Sequence, residues 1–167
     1  MRQIFPENIR KVHATVGDKT YTFRSEGEFL WSQYLEFLKQ SGEIKGWGYE
    51  GKTFYFHNEK TAPVQYTPDF WIVPNSGQAY CQEFKRGYLD GQAITKLRRM
   101  AKHYPDVIIE LVLMDAAKIN SHRMFIAHKY VRRIISARDI FRQMGNLIKS
   151  AKDYLAAEKL ENEVFSK

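Results

Sequence analysis

The stretch from Thr67 to Arg86 constrains this chain more than any other. It reads as two apolar strands about a tight turn at Asn75-Ser76-Gly77. Three ionisable groups sit where strand interiors carry none: Asp69 opens the first strand, and Glu83 and Lys85 close the second. Charged residues are depleted from strands and are rarely buried unless they are paired or bind a metal. Asn75-Ser76-Gly77 fits a three-residue hairpin loop whose last residue takes the left-handed conformation that glycine favours. That loop pairs Pro74 with Gln78 and, counting back along the strands, Asp69 with Glu83. Asp69, Trp71 and Val73 then share a face with Cys81, Glu83 and Lys85. Opposed residues lie about 4.5–5.5 Å apart at Cβ, where two carboxylates repel unless a cation lies between them or one is protonated. A divalent metal is the natural resident. A two-residue loop would move Asp69 to the other face, and a surface hairpin with an Asp–Lys or Glu–Lys cross-strand pair is the plainer alternative.

Pro68-Asp69, thirteen intervening residues and Glu83-Phe84-Lys85 resemble the active-site signature of the PD-(D/E)XK nuclease superfamily. A second stretch adds to this. Ser25 is a plausible N-cap and Glu28 follows three residues later, as in a capping box. Trp31, Leu35 and Leu38 continue from Glu28 at helical spacing, so this glutamate lies on the buried stripe. On local sequence it is a capping residue. In these nucleases, however, the helix before the sheet commonly brings an acid to the metal site. Phe23, Ser25 and Glu28, then Leu30 and Gly42-Glu43-Ile44, look like a phage and prophage branch of the superfamily. The resemblance covers about residues 20–114.

The remaining elements agree with such an α/β fold. Val12–Val16 and Tyr21–Phe23 read as a small hairpin, and Glu26–Gln40 as a helix. Gly46–Glu50 and Lys52–His57 read as strands about Gly51, and Val64–Val73 and Gln78–Lys85 form the motif hairpin. Asp90 caps a helix through His103, with Pro105 marking its end. Val107–Met114 is an apolar run, the mark of a strand covered on both faces. Helix, antiparallel strands, helix and strand is the restriction-endonuclease-like core that the resemblance implies. Residues 1–117 form that core with its N-terminal hairpin, and 118–167 a basic helical extension of the same unit.

The chain of 167 residues, 44% hydrophobic, is long enough for one good core. Its single cysteine, Cys81, excludes an intrachain disulfide and favours a reducing cytoplasm, that of a bacterial host if the gene is phage-borne. A packed, inert thiol is the expected role. Met1–Glu7 lacks the apolar core of a signal peptide, no run spans a membrane, and the histidines lack zinc-ligand spacing. The net charge of +7 is unevenly placed. Residues 1–75 balance nine basic against nine acidic groups, whereas 118–152 set nine Lys or Arg against Asp139 alone. Lys96, Arg98, Arg99 and Lys102 add a cluster on the helix after the motif. Such clusters suit a polyanion, without separating DNA from RNA. After Ser136 the chain reads as one amphipathic helix with Ile140, Met144, Leu147, Ala151 and Tyr154 in a stripe. That stripe serves either the domain's own core or a homodimer seam.

The expectation is a nuclease that hydrolyses DNA phosphodiester bonds with Mg²⁺ or Mn²⁺, and branched or junction DNA is one target. Asp69, Glu83 and the Phe84 carbonyl bind the metal, with Glu28 holding a second metal or a metal-bound water. Lys85 orients the attacking water, and Gln92, Lys96, Arg99, Arg132 and Arg133 contact nucleic acid. Two alternatives stand beside it: an idle DNA-binding protein on a nuclease fold, and a subunit of a larger transposition-like or RNA-cleaving system.

Overall fold

The structure, a computed structural model, describes residues 11–165; the reading of Met1–Glu7 lies outside them. Two short strands, β1 (Val12–Val16) and β2 (Lys19–Phe23), form an antiparallel hairpin. Helix α1 (Glu26–Gln40) follows, with Ser25 as its N-cap accepting the Glu28 N–H. Next come β3 (Ile44–Tyr49), β4 (Phe54–Tyr55), β5 (Gln65–Tyr66), β6 (Phe70–Pro74) and β7 (Tyr80–Lys85). Helix α2 (Gly91–His103), capped by Asp90, leads to β8 (Ile109–Leu113). The chain ends in α3 (Ser121–Ala127), β9 (Arg133–Ser136), α4 (Ala137–Met144) and α5 (Ala151–Phe165).

Five strands make one mixed sheet in the order β3-β6-β7-β8-β9. The pairs β3–β6 and β6–β7 are antiparallel, and β7–β8 and β8–β9 are parallel. Helices cover both faces. Leu30, Trp31 and Leu35 of α1 and Phe141 of α4 pack with Phe70, Ile72, Phe84 and Val112 on one side. Ile94, Leu97 and Met100 of α2 and Ala127 of α3 pack with Cys81, Leu111 and Leu113 on the other. Strand β8 therefore supplies alternate residues to the two cores and is buried throughout, as its apolar run anticipates.

Three expectations need correcting. The run Val64–Val73 is not one strand: it breaks at Thr67-Pro68-Asp69, and β5 pairs with β4 in a separate two-stranded sheet. Proline lacks the N–H that a sheet interior needs, so Pro68 ends the pairing just before the motif acid. The segment after residue 117 is not wholly helical, because β9 adds an edge strand to the main sheet. Only four residues long, β9 is too short to display a period. The helix expected after Ser136 is two helices, interrupted at Gly145 (φ 53°). Ile140 and Met144 pack on the α1-side core and Ala151 and Tyr154 on the β1–β2 hairpin, but Leu147 is exposed.

Candidate active site

The hairpin keeps the expected parity, but its pairing stops at Ile72 and Tyr80, so the connection is longer than the three-residue loop that would pair Pro74 with Gln78. Phe70 pairs with Gln82, Trp71 with Cys81 and Ile72 with Tyr80, which continues to Asp69 opposite Glu83. Gly77 takes φ 84°, in the left-handed region that glycine favours. Asp69 and Glu83 are 6% and 7% exposed, and Glu28 is 8% exposed. Carboxylates this nearly sealed each need a hydrogen-bonding or charged partner.

Each acid is fastened by named donors. The Phe84 N–H donates to Asp69 Oδ2 at 2.8 Å. The Lys85 ammonium lies 2.8 Å from Glu83 Oε1, and the buried Tyr66 hydroxyl donates to Glu83 Oε2 at 2.8 Å. Glu28 Oε2 accepts from the Tyr49 hydroxyl at 2.5 Å and from the Arg24 N–H at 3.1 Å. Glu28 also serves the helix start: its N–H donates to Ser25 Oγ at 3.2 Å, and its charge is felt at Asp69. Burial, then the charges of Glu83 and Glu28, push the Asp69 carboxyl well above its ordinary range, against the pull of Lys85 and the Phe84 N–H. Burial works against the Lys85 ammonium, but Glu83 outweighs it and holds that pKa above the usual lysine value. Burial followed by the charge of Glu83 raises Tyr66, so its hydroxyl stays a donor.

Phe84 is also why a glycine precedes Glu28. Its ring lies against Gly27 of α1, where a Cβ would come 2.4 Å from the ring. The helix start therefore sits directly on the strand that carries Glu83 and Lys85. Tyr66, Glu83, Lys85 and Lys96 line one narrow cleft with Leu89, Ala93, Leu97 and Leu111. The Lys96 ammonium is 5.7 Å from the centre of the Tyr66 ring, and Gln92 is exposed on the first turn of α2. On the same sheet face, Cys81 is fully buried and burial pushes its thiol up to about 12, which makes it the inert packing group expected.

Other expected residues are elsewhere. Arg99, expected to contact phosphate, is buried and donates to the carbonyls of Thr61 and Pro63 and to Thr61 Oγ1. It reaches from α2, one turn beyond Lys96, into the loop before β5. Arg132 and Arg133, expected on the same ligand, both close on Glu110, whose residue exposure is 0%. Glu110 also accepts from the Gln82 amide, whose oxygen accepts from the Trp31 indole. Sequence reasoning missed Tyr66, Tyr49 and Glu110. Tyr66 stands three residues before Asp69 without a pattern to mark it, and Glu110 is the one charge inside an apolar run.

The acids supply hard oxygen donors. Among the described residues no three His, Cys, Asp or Glu side chains converge on a metal position. Mg²⁺ is usually held by one or two carboxylates with water and substrate phosphate completing the shell. Asp69 and Glu83 supply two carboxylates of that kind, though both Glu83 oxygens are held by Lys85 and Tyr66. Comparison with known proteins finds no matching family model, no matching curated protein and no matching solved structure.

Proposed function

We propose that this protein is a divalent-metal-dependent nuclease that hydrolyses phosphodiester bonds of DNA on a restriction-endonuclease-like core. The observation that carries the reading is the burial of Asp69 and Glu83 beside a partly exposed Lys85 that pairs with Glu83, with Asp69 raised by burial and by its neighbours' charge. Asp69, Glu83 and the Phe84 carbonyl would hold Mg²⁺ or Mn²⁺, and Glu28 stands beside them. A bound Mg²⁺ supplies polarisation of a phosphoryl oxygen and acidification of a water. The protein's own groups do the rest. The Phe84 N–H fixes the Asp69 carboxylate, and Tyr66 fixes Glu83 from the side away from Lys85. Lys85 carries a charge that its environment keeps protonated, suited to stabilising negative charge that grows on phosphate oxygens. Lys96, in the same cleft, offers a second cation to the substrate backbone.

One observation favours a second reading. Both oxygens of Glu83 already have partners, Lys85 and Tyr66, which suits a nuclease scaffold that binds without cutting. Cleavage of duplex, single-stranded, flap, junction and RNA substrates with Mg²⁺, Mn²⁺ or chelator separates the two. Cutting that needs metal and vanishes in folded Asp69→Asn, Glu83→Gln and Lys85→Ala supports the nuclease. Full activity in folded Lys85→Ala sinks the assigned chemistry, and tight binding without cutting under every condition favours the idle scaffold.

A further inference from the structure

The loop that follows Lys85 holds an aromatic ring out into solvent. Arg86 to Asp90 connect β7 to α2, and nearly every residue except Tyr88 is anchored. The Lys85 and Arg86 carbonyls accept the Met114 and Asp115 N–H groups at 2.9 and 2.6 Å. Leu89 is buried in the α2-side core, and its carbonyl accepts from the Arg123 guanidinium at 2.5 Å. Asp90 caps α2 through the Ala93 N–H at 2.7 Å. Between these fixed points Tyr88 is 67% exposed, the most exposed aromatic among the described residues. Arg123 backs it, with the guanidinium carbon 5.6 Å from the ring centre. Arg86 is exposed beside it in sequence, and Lys118, with a side chain 72% exposed, lies on the segment that pins the loop.

A single exposed apolar group is ordinary on a protein surface. A ring held on an anchored loop and backed by a guanidinium, with Arg86 exposed two residues away, is a different object. We propose that Tyr88, braced by Arg123, is a stacking platform for one unpaired nucleobase at or next to the scissile phosphate. The occupant follows from the chemistry. Every nucleobase has a π-face that stacks on an aromatic ring, and its backbone carries the negative charge that Arg86 and Arg123 attract. Three residues span at most about 11 Å, so a base on Tyr88 belongs to a nucleotide beside Lys85. Bases inside a duplex already stack on each other and cannot reach such a ring without flipping out. The substrate is therefore a single strand, or a duplex carrying an unpaired nucleotide at the cut. This rests on the nuclease reading above and narrows its substrate class.

The test is binding, measured by fluorescence anisotropy in chelator at fixed salt. The probes are single-stranded DNA, single-stranded RNA, blunt duplex DNA and an abasic single strand, all of one length. Tyr88→Ala should weaken single-strand binding about ten- to hundredfold, the loss of one stacked base, and change duplex and abasic binding by no more than about twofold. Tyr88→Trp should restore the affinity, and the arm that shows the loss identifies DNA or RNA as the source of the base. Unchanged single-strand affinity in Tyr88→Ala, or an equal loss on duplex and abasic probes, overturns the platform alone when the wild type cuts with metal. A wild type that binds none of the probes overturns the platform, and it overturns the nuclease reading too when the same protein cuts none of them with metal.

Discussion

A carboxyl group sealed from water and facing two others is stable only when protonated, neutralised by a cation or exchanged for a neutral isostere. Asp69 is in that position: burial and the charges of Glu83 and Glu28 raise it, and Lys85 compensates only in part. An amide keeps an oxygen for the Phe84 N–H while removing the charge. Asp69→Asn should therefore melt at or above the wild type without metal, gain little on addition of Mg²⁺ or Mn²⁺, and lose cleavage. Thermal melts with and without metal decide this, and a variant that melts well below wild type in chelator contradicts the buried-repulsion account. The placement of Asp69 and Glu83 was readable beforehand because side-chain period in a strand is two and the register expected from the turn has the parity observed. Their hydrogen-bond donors were not. Tyr66 reaches Glu83 from β5 and Tyr49 reaches Glu28 from β3, and both depend on tertiary pairing that no local pattern encodes.

Helix α1 and strand β7 behave as one device, joined where Gly27 admits the Phe84 ring. Gly27→Ala puts a methyl into that ring, which is itself buried, so helix and strand must part. Overpacking of this kind costs about 1–3 kcal/mol. The displaced strand carries Glu83 and Lys85, so cleavage should fall further than stability explains. Ser25→Ala is the control on the same helix end. It removes only the cap bond to the Glu28 N–H and should cost about 0.5–2 kcal/mol with cleavage spared. Glu28→Gln should do the reverse, keeping an acceptor for Tyr49 and Arg24 while cutting turnover by orders of magnitude. Denaturant melts beside turnover for the three variants separate the roles, and a Glu28→Gln protein with normal turnover returns Glu28 to capping alone. The bounds of α1 and α2 were legible because Ser25 and Asp90 are true caps. The edge strand β9 and the break at Gly145 were not, since four residues show no period and a stripe of apolar residues reads continuously across a turn.

Over the whole molecule, the basic excess of the last third is partly an accounting effect of chain order. Arg132 and Arg133 meet Glu110, and Arg138 meets Asp115, acids that lie earlier in sequence and so vanish from a local count. The two guanidiniums tie β9 to β8, and Gln82 and Trp31 extend the link across β7 to α1. Reversing both arginines to Glu should therefore act first on stability. It leaves a fully buried carboxylate beside new like charges, a loss of about 2–3 kcal/mol, less than for a wholly buried pair because both guanidiniums are about half exposed. A folded double variant whose binding loses roughly 0.7–0.9 of salt slope per contact would instead return them to phosphate binding. The acid limb of stability supplies an independent check. Burial alone would raise Glu110, but the Gln82 amide and the two guanidiniums outweigh it and hold the carboxyl below its ordinary range. A carboxyl depressed in the folded state stabilises fully above its unfolded pKa, about 4.3, and loses that contribution as pH falls through the lower folded value. Glu110→Gln should flatten the stability profile in that window and leave the neutral-to-basic limb unchanged in shape. Denaturant melts at successive pH values measure it, and an acid limb of the same steepness in Glu110→Gln would mean that this network does not hold the sheet edge in place.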